Sequence, residues 1–469
     1  MALVESRSID YVPLAERHGK VWHLWPIWFT GDAHMATLAV GAISVAAGLS
    51  LFWSAIAVLG GCALGTVLMA FHCTQGPHLG LPQMIQSRPQ FGYLGALLVW
   101  VVALFTYIGY NALNQTLAAD TLKELAGLPH GPTVVGFSIA AIAVAVIGYD
   151  LIHRAQRYLA YAMLTVLAIY TVGAFRIVDF GTLLAPGEFK PTPFLVQFFA
   201  AAAYQLSWSI YVSDYSRYLP KEVGIRDAFF WTFWGAFIGG AWMMLVGTFA
   251  AAAFASPDGI VAALRDSSDA IYPGFGVVML VTSFLGLITI TSLNFYGASL
   301  TLLSVVDSLT KLKLGVKSRI ASLFAVFAVA LSLSLMVSGD VLHGFEAFMA
   351  VLAYLFTPWT AINLVDFFFV RKGHYSIRAM FMADGLYGKW NWRGLVSYFV
   401  GFAAMIPFFK TGIFVGPAAQ ALGNADISML IGLPVSAAIY LYLCRDLDLK
   451  SELARIAELD RNLETEPVR

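Results

Sequence analysis

Charge is what this 469-residue sequence has least of: 12% of its residues are Asp, Glu, Lys or Arg, where a soluble domain carries about a quarter. With 59% hydrophobic residues, no soluble fold could hide the apolar surface, so the several soluble domains that the length would allow are replaced by one membrane domain. Formal net charge is zero, so overall charge says nothing about nucleic-acid or acidic partners; no nucleic-acid partner is expected of such a membrane domain. Cysteine is scarce as well. Cys62, Cys73 and Cys444 lie in or beside apolar runs without metal-ligand spacing, which argues against a disulfide framework or a metal centre. There is no Walker loop, no paired metal-ligand motif and no nucleophile elbow, so ATP-driven transport, catalysis and a bound cofactor are not expected. The first twenty residues mix Glu5, Asp10 and Glu16 with basic residues and lack a cleavage site, which reads as a cytoplasmic tail and not a signal peptide.

What is abundant is apolar sequence of bilayer-spanning length. Broken at charged, Pro-rich and Gly-rich punctuation, it predicts an all-α polytopic membrane protein with spans at 24–48, 51–73, 92–118, 132–149, 158–178, 192–218, 226–254, 275–306, 319–338, 343–370, 394–414 and 427–444. The positive-inside rule tests that count independently. With the N-terminus inside, only Lys123, Arg176, Lys190, Arg265 and Lys410 of the 28 Lys and Arg fall outside. The inside set includes Arg217, Lys221 and Arg226, then Lys311, Lys313, Lys317 and Arg319, then Arg371, Lys372 and Arg378. Both termini are therefore expected in the cytoplasm of a cell whose inner membrane holds the protein. After Arg445 the charges alternate with Leu and Ile at helical spacing, as in a surface helix or a solvated tail.

A polar group in hydrocarbon costs several kcal/mol unless it is satisfied, so polar interruptions mark candidate sites. In the first span, Thr30, Gly31, Asp32 and His34 follow Pro26. Unwinding there would free carbonyls for a cation, and Asp32 would add a carboxylate; alternatively this stretch lies hydrated at the membrane interface. The third span holds Tyr110, Asn111, Asn114, Gln115 and Asp120. Tyr110 and Asn114, four apart, share a face on which a flat heteroaromatic could stack and pair, or the amides could be interhelical glue. The sixth span carries Tyr204, Gln205, Ser207, Trp208 and Ser209 and ends on Asp214 and Arg217, a local ion pair at that end. Interruptions at corresponding places in two halves point to an inverted repeat, spans one to five and six to ten. The eighth span offers Thr289, Thr291, Ser292 and Asn294; its hydroxyls either bond their own backbone or bind a small cation. His72 and His78 bracket the end of the second span and are assigned to a loop role.

Five stretches in order resemble the nucleobase:cation symporter-1 family, in its purine–cytosine permease branch: ERHGK at 16–20, GLPQMIQSRPQFG at 80–92, GYDLIHRAQRY at 148–158, SDYSRYLP at 213–220 and TPWTAINLVDFFFVRKGHY at 357–375. The resemblance implies a LeuT-like 5+5 inverted repeat over 24–370, two accessory helices over 394–444, and tails at 1–23 and 445–469. It implies a base held by Tyr110, Asn114, Trp208, Thr291 and Asn294, with Tyr204 or Gln205 as the alternative sixth-span contacts. The coupling cation, Na+ or H+, falls to Thr30, Gly31, Asp32, Thr289 and Ser292. The expected activity is import of a purine, cytosine or related heterocycle by cation symport with alternating access, in a monomer within the lipid bilayer. A carrier of another solute such as a hydantoin, vitamin precursor or amino acid, and an uncoupled facilitator, are the alternatives. This chain departs from the branch pattern at Ile290, Thr291 and Leu293, which stand where asparagines are common, at Tyr110 in place of tryptophan, and at Asp32, which raises the proton as rival to sodium.

Overall fold

The computed structural model describes residues 10–147, 149–256, 258–310, 316–336, 341–466 and 468. Outside them lie the first nine residues of the tail, Lys311 and Lys313 of the basic cluster, the last residues of the ninth predicted span, and Gly148 with the side chains of its motif through Arg157. Among the described residues the chain is helical throughout, its one β-bridge joining Lys410 and Val415. Among the described residues seven helices are long and apolar enough to cross a membrane, and they coincide with the second, third, fifth and seventh to tenth predicted spans. The fourth and eleventh runs form shorter apolar helices. The first and sixth are broken.

Helix Leu24–Gly31 ends at Asp32, and His34 takes an extended backbone (φ −149°, ψ 166°) before Met35–Gly41 resumes. Pro26 starts the weakness: it cannot donate within the helix, and the Thr30 hydroxyl bonds back to the Pro26 carbonyl at 2.7 Å. The sixth span is helical over Pro191–Ser207, tightens to a 3-10 turn over Trp208–Ile210, and restarts as Val212–Ser216. No glycine or proline is needed there. The Ser207 hydroxyl bonds back to the Tyr204 carbonyl at 2.7 Å, and such back-bonding loosens a helix.

The broken first span lies along the seventh, Ile225–Ala253. A side chain at Gly41 or Gly247 would overlap the Met244 or Leu38 carbonyl, so the backbones touch through small residues, as membrane helices do. Among the described residues two helices of more than ten residues do not correspond to predicted spans. Ile260–Ile271 precedes the eighth span, while Leu449–Leu459 turns away from the twelfth by 85°. The sequence GLPQMIQSRPQFG is a buried connector, with Gln83, Gln86, Ser87, Arg88 and Gln90 all inside the protein, so the third span starts at Leu97, later than its hydropathy suggests, and runs on to Ala126. The termini meet on one face: the Tyr11 hydroxyl and Leu14 amide donate to the Glu464 carboxylate at 2.6 and 2.9 Å.

Candidate functional site

The two helix breaks are fastened to each other. Gln205 Nε2 of the sixth span donates to Asp32 Oδ2 of the first at 3.0 Å, and the Tyr204 hydroxyl bonds Thr37 and, at 3.2 Å, His34 Nε2. Asp32 is 1% exposed. Its Oδ1 has no hydrogen-bond partner among the described residues, and neither does the Trp208 indole nitrogen that faces the same carboxylate. Gly240 of the seventh span backs the pair: a Cβ there would stand 3.1 Å from Asp32 Oδ2 and overlap the Gln205 amide. Among the described residues no basic side chain forms an ion pair with Asp32. A buried carboxylate without a counter-charge is costly.

Beneath the breaks a cavity of about 270 Å³ runs from Trp208 down to Arg217 and Tyr218, walled by Tyr107 of the third span, Tyr211 of the sixth, and Ile290, Leu293 and Asn294 of the eighth. That volume is just under the ~300–1,000 Å³ usual for small-ligand pockets. Tyr107 stacks on Tyr211 with ring centroids 5.7 Å apart, and Trp208 meets Tyr211 edge-on at 5.5 Å. Such a wall suits a flat ring.

The structure sorts the predicted residues as follows. Trp208 and Asn294 line the cavity. Tyr110 stands one turn above it, its ring edge-on to Tyr204 at 5.8 Å and to Phe348 of the tenth span at 5.1 Å, its hydroxyl 3.0 Å from Ser207. The ring that lines the cavity is Tyr107, on the same helix face three residues earlier. Asn114 is buried with an unpartnered carbonyl oxygen, as is the hydroxyl of Thr291.

Among the described residues no hydrogen bond joins the members of the proposed cation set to one another. Thr289 bonds the Gly286 carbonyl of its own helix, and Ser292 bonds Ile288 of its own helix and Ala141 of the fourth at 2.6 and 2.8 Å. Thr30 is committed to Pro26, and Asp32 turns to the sixth span. The sequence reading missed Tyr107, Tyr211 and Thr37 and gave His34 no role of its own; helical spacing from Tyr110 could have found the first.

Neither His72 nor His78 belongs to a group of three metal-binding side chains among the described residues. His72 is buried in its helix and not in a loop, stacked on Trp359 at 4.6 Å and bonded to Thr360 and Gln83 at 2.9 and 3.2 Å. At the inner end of the sixth span, Asp214 accepts from the Gln83 amide at 3.0 Å, and Arg217 donates to the Asp10 carbonyl at 3.3 Å. The pair therefore has partners beyond its own turn.

Known proteins fit this architecture. The chain is 37% identical to YxlA of Bacillus subtilis, provisionally named a purine-cytosine permease, over 94% of this chain and 96% of that one. It is 24% identical to the purine-cytosine permease fcyB of Emericella nidulans, over 94% and 88%. Among solved structures, the inward-facing conformation of Mhp1 superposes with a TM-score of 0.74 at 16% identity over 98% of both chains. The closed conformation with bromovinylhydantoin bound superposes at 0.73 and 16% over 99% of both. The fold is thus the LeuT-like transporter fold expected from the sequence. With residues 11–432 matching the family of permeases for cytosine and purines, uracil, thiamine and allantoin, the chain belongs to that family and is an integral membrane transporter.

Proposed function

We propose that the protein imports a nucleobase, cytosine or a purine, across the inner membrane by proton symport, with both termini in the cytoplasm. The base enters at Trp208, Asn114 and Asn294, stacked on the aromatic wall and paired with the amides. Support comes from the two purine-cytosine permease relatives and from a cavity that offers flat aromatic faces beside a carboxamide.

One observation carries the choice of ion. Asp32 sits where the first helix breaks, wholly enclosed, with Gln205 donating to one oxygen and the other left open. A proton on Oδ1 would neutralise it there without any further ligand. Sodium would need several hard oxygens converging on it, whereas the side chains that face Asp32, Gln205 through its nitrogen and the Trp208 indole, present N–H donors. Proton and base would each tighten the other's binding by the same factor. Alternating access then follows if the two broken spans, tied through Gln205 and Tyr204, move as one unit when Asp32 is neutral.

Asp32→Asn tests this. The amide keeps the acceptor for Gln205 and mimics the protonated acid. The variant is expected to bind and exchange base across the pH range yet fail to accumulate it. Accumulation by the variant at the wild-type level would refute proton carriage by Asp32.

A further inference from the structure

Asn111 and Gln115 are fully buried, and neither amide has a protein partner for its nitrogen or its oxygen among the described residues. Both lie on the third span four residues apart, continuing upward the face that begins at Tyr107. That face meets the eighth span: a Cβ on Gly297 would stand 2.8 Å from the Tyr107 ring. The two spans run antiparallel, because the far end of the third is tied to the helix that leads into the start of the eighth. Lys123 pairs with Asp258 at 3.3 Å, and the Gly276 amide donates to Asp269 at 2.8 Å. Counting four and eight residues from the Tyr107–Gly297 contact, a rise of about 6 and 12 Å, places Asn111 level with Leu293 and Asn294, and Gln115 level with Thr289. Thr291 lies between, buried and with its hydroxyl unpartnered.

We infer that Asn111 and Gln115, with Thr291, form a polar wall that reads the hydrogen-bonding edge of the base as it rises from the cavity between Tyr107 and Asn294. The inference rests on the nucleobase reading and adds specificity residues to it. Each amide presents one donor and one acceptor, the alternation found along the edges of cytosine and adenine. Leaving such groups unpaired in a dry interior is costly, and a planar, polar ligand would satisfy several together. An amide pair serving as helix glue would instead be bonded across the interface, and this pair is not.

The test uses the purified full-length protein, measuring the rise in unfolding temperature with cytosine, adenine and hypoxanthine to obtain dissociation constants. The near-isosteric Asn111→Leu and Gln115→Met are expected to leave the base-free unfolding temperature unchanged or raised, since each removes an unpaired buried amide. They are expected to weaken at least one base tenfold or more, and to do so unequally among the three. The milder Thr291→Val serves if either variant does not fold, and is expected to weaken a base by threefold or more. Dissociation constants within twofold of wild type for all three bases, or a fall in base-free stability with unaltered affinity, would overturn the inference while leaving the nucleobase reading intact. A wild type that none of the three bases stabilises would overturn both.

Discussion

At the scale of single residues, the site depends on a few polar atoms held in a dry interior. Asn114 is the clearest case: its side chain is buried with an open acceptor, and truncation to Ala should remove about 1–3 kcal/mol of base binding. Equilibrium binding of labelled cytosine should show this, with expression and unfolding temperature close to wild type. Gly240→Ala probes the coupling pair from behind. The added methyl overlaps the Gln205 amide and presses on Asp32, so uptake should fall by tenfold or more although neither polar group has been changed. Wild-type uptake by this variant would show that the Asp32–Gln205 contact is not needed. Asp32, Asn114 and Trp208 could be singled out in the sequence as candidates because polar atoms inside apolar runs are conspicuous. Tyr107 was not, since an aromatic in a membrane helix is ordinary until a cavity is seen beside it. The grouping of Thr289 and Ser292 with Asp32 rested on composition, and spacing alone could not say that their hydroxyls turn to backbone carbonyls.

At the scale of elements, the motifs that carry the family resemblance are mostly joints and not site residues. Ser87 of the second motif accepts from the Trp359 indole of the fifth at 3.0 Å, and Gln90 donates to Asp366 at 2.7 Å. Ser213 of the fourth motif donates to Gln83 at 2.6 Å, and Arg17 of the first holds the Pro77 carbonyl at 2.6 Å. These contacts lock the ends of the second, sixth and tenth spans around the buried connector, which explains why the motifs were recognisable while the substrate was not. The tenth span closes in a π-turn at Asp366–Val370. There Asp366 accepts from Arg371 at 2.7 Å, Gln90, Tyr375 at 2.8 Å and Tyr440 at 2.9 Å, and Arg371 also bonds Glu452 at 2.6 Å. Asp366→Ala leaves a buried guanidinium with half its pairing, and should cost about 3–5 kcal/mol, read as a fall in unfolding free energy in detergent. A loss below about 1 kcal/mol would mean that water reaches the site. The broken helices were foreseeable from Pro26, Gly31 and the polar sixth span, but Ile260–Ile271 was hidden by its own charges. Its Arg265 and Asp269 made it look like a loop.

For the whole molecule, hydropathy made the all-helical membrane architecture legible early because the bilayer permits so few alternatives. The tails were harder, since no membrane rule applies to them. Glu452 is buried against Arg371, Asp460 caps the backbone at Ile377 and Arg378, and Glu464 holds the N-terminal segment. A tail that alternates charge with Leu and Ile thus becomes a packed strap held by Glu452, Asp460 and Glu464. Removing residues 449–469 should therefore lower the unfolding temperature of the transporter domain itself, as scanning calorimetry would register, and an unchanged midpoint would reduce the strap to decoration. The central claim concerns the molecule as a machine that couples a proton at Asp32 to a base beside Trp208. Its most direct test is uptake of labelled cytosine or hypoxanthine into proteoliposomes carrying the purified protein under an inside-alkaline pH gradient without sodium. The account predicts accumulation above equilibrium that a protonophore abolishes and that Asp32→Asn lacks; equilibration without accumulation, or accumulation driven only by a sodium gradient, would contradict it.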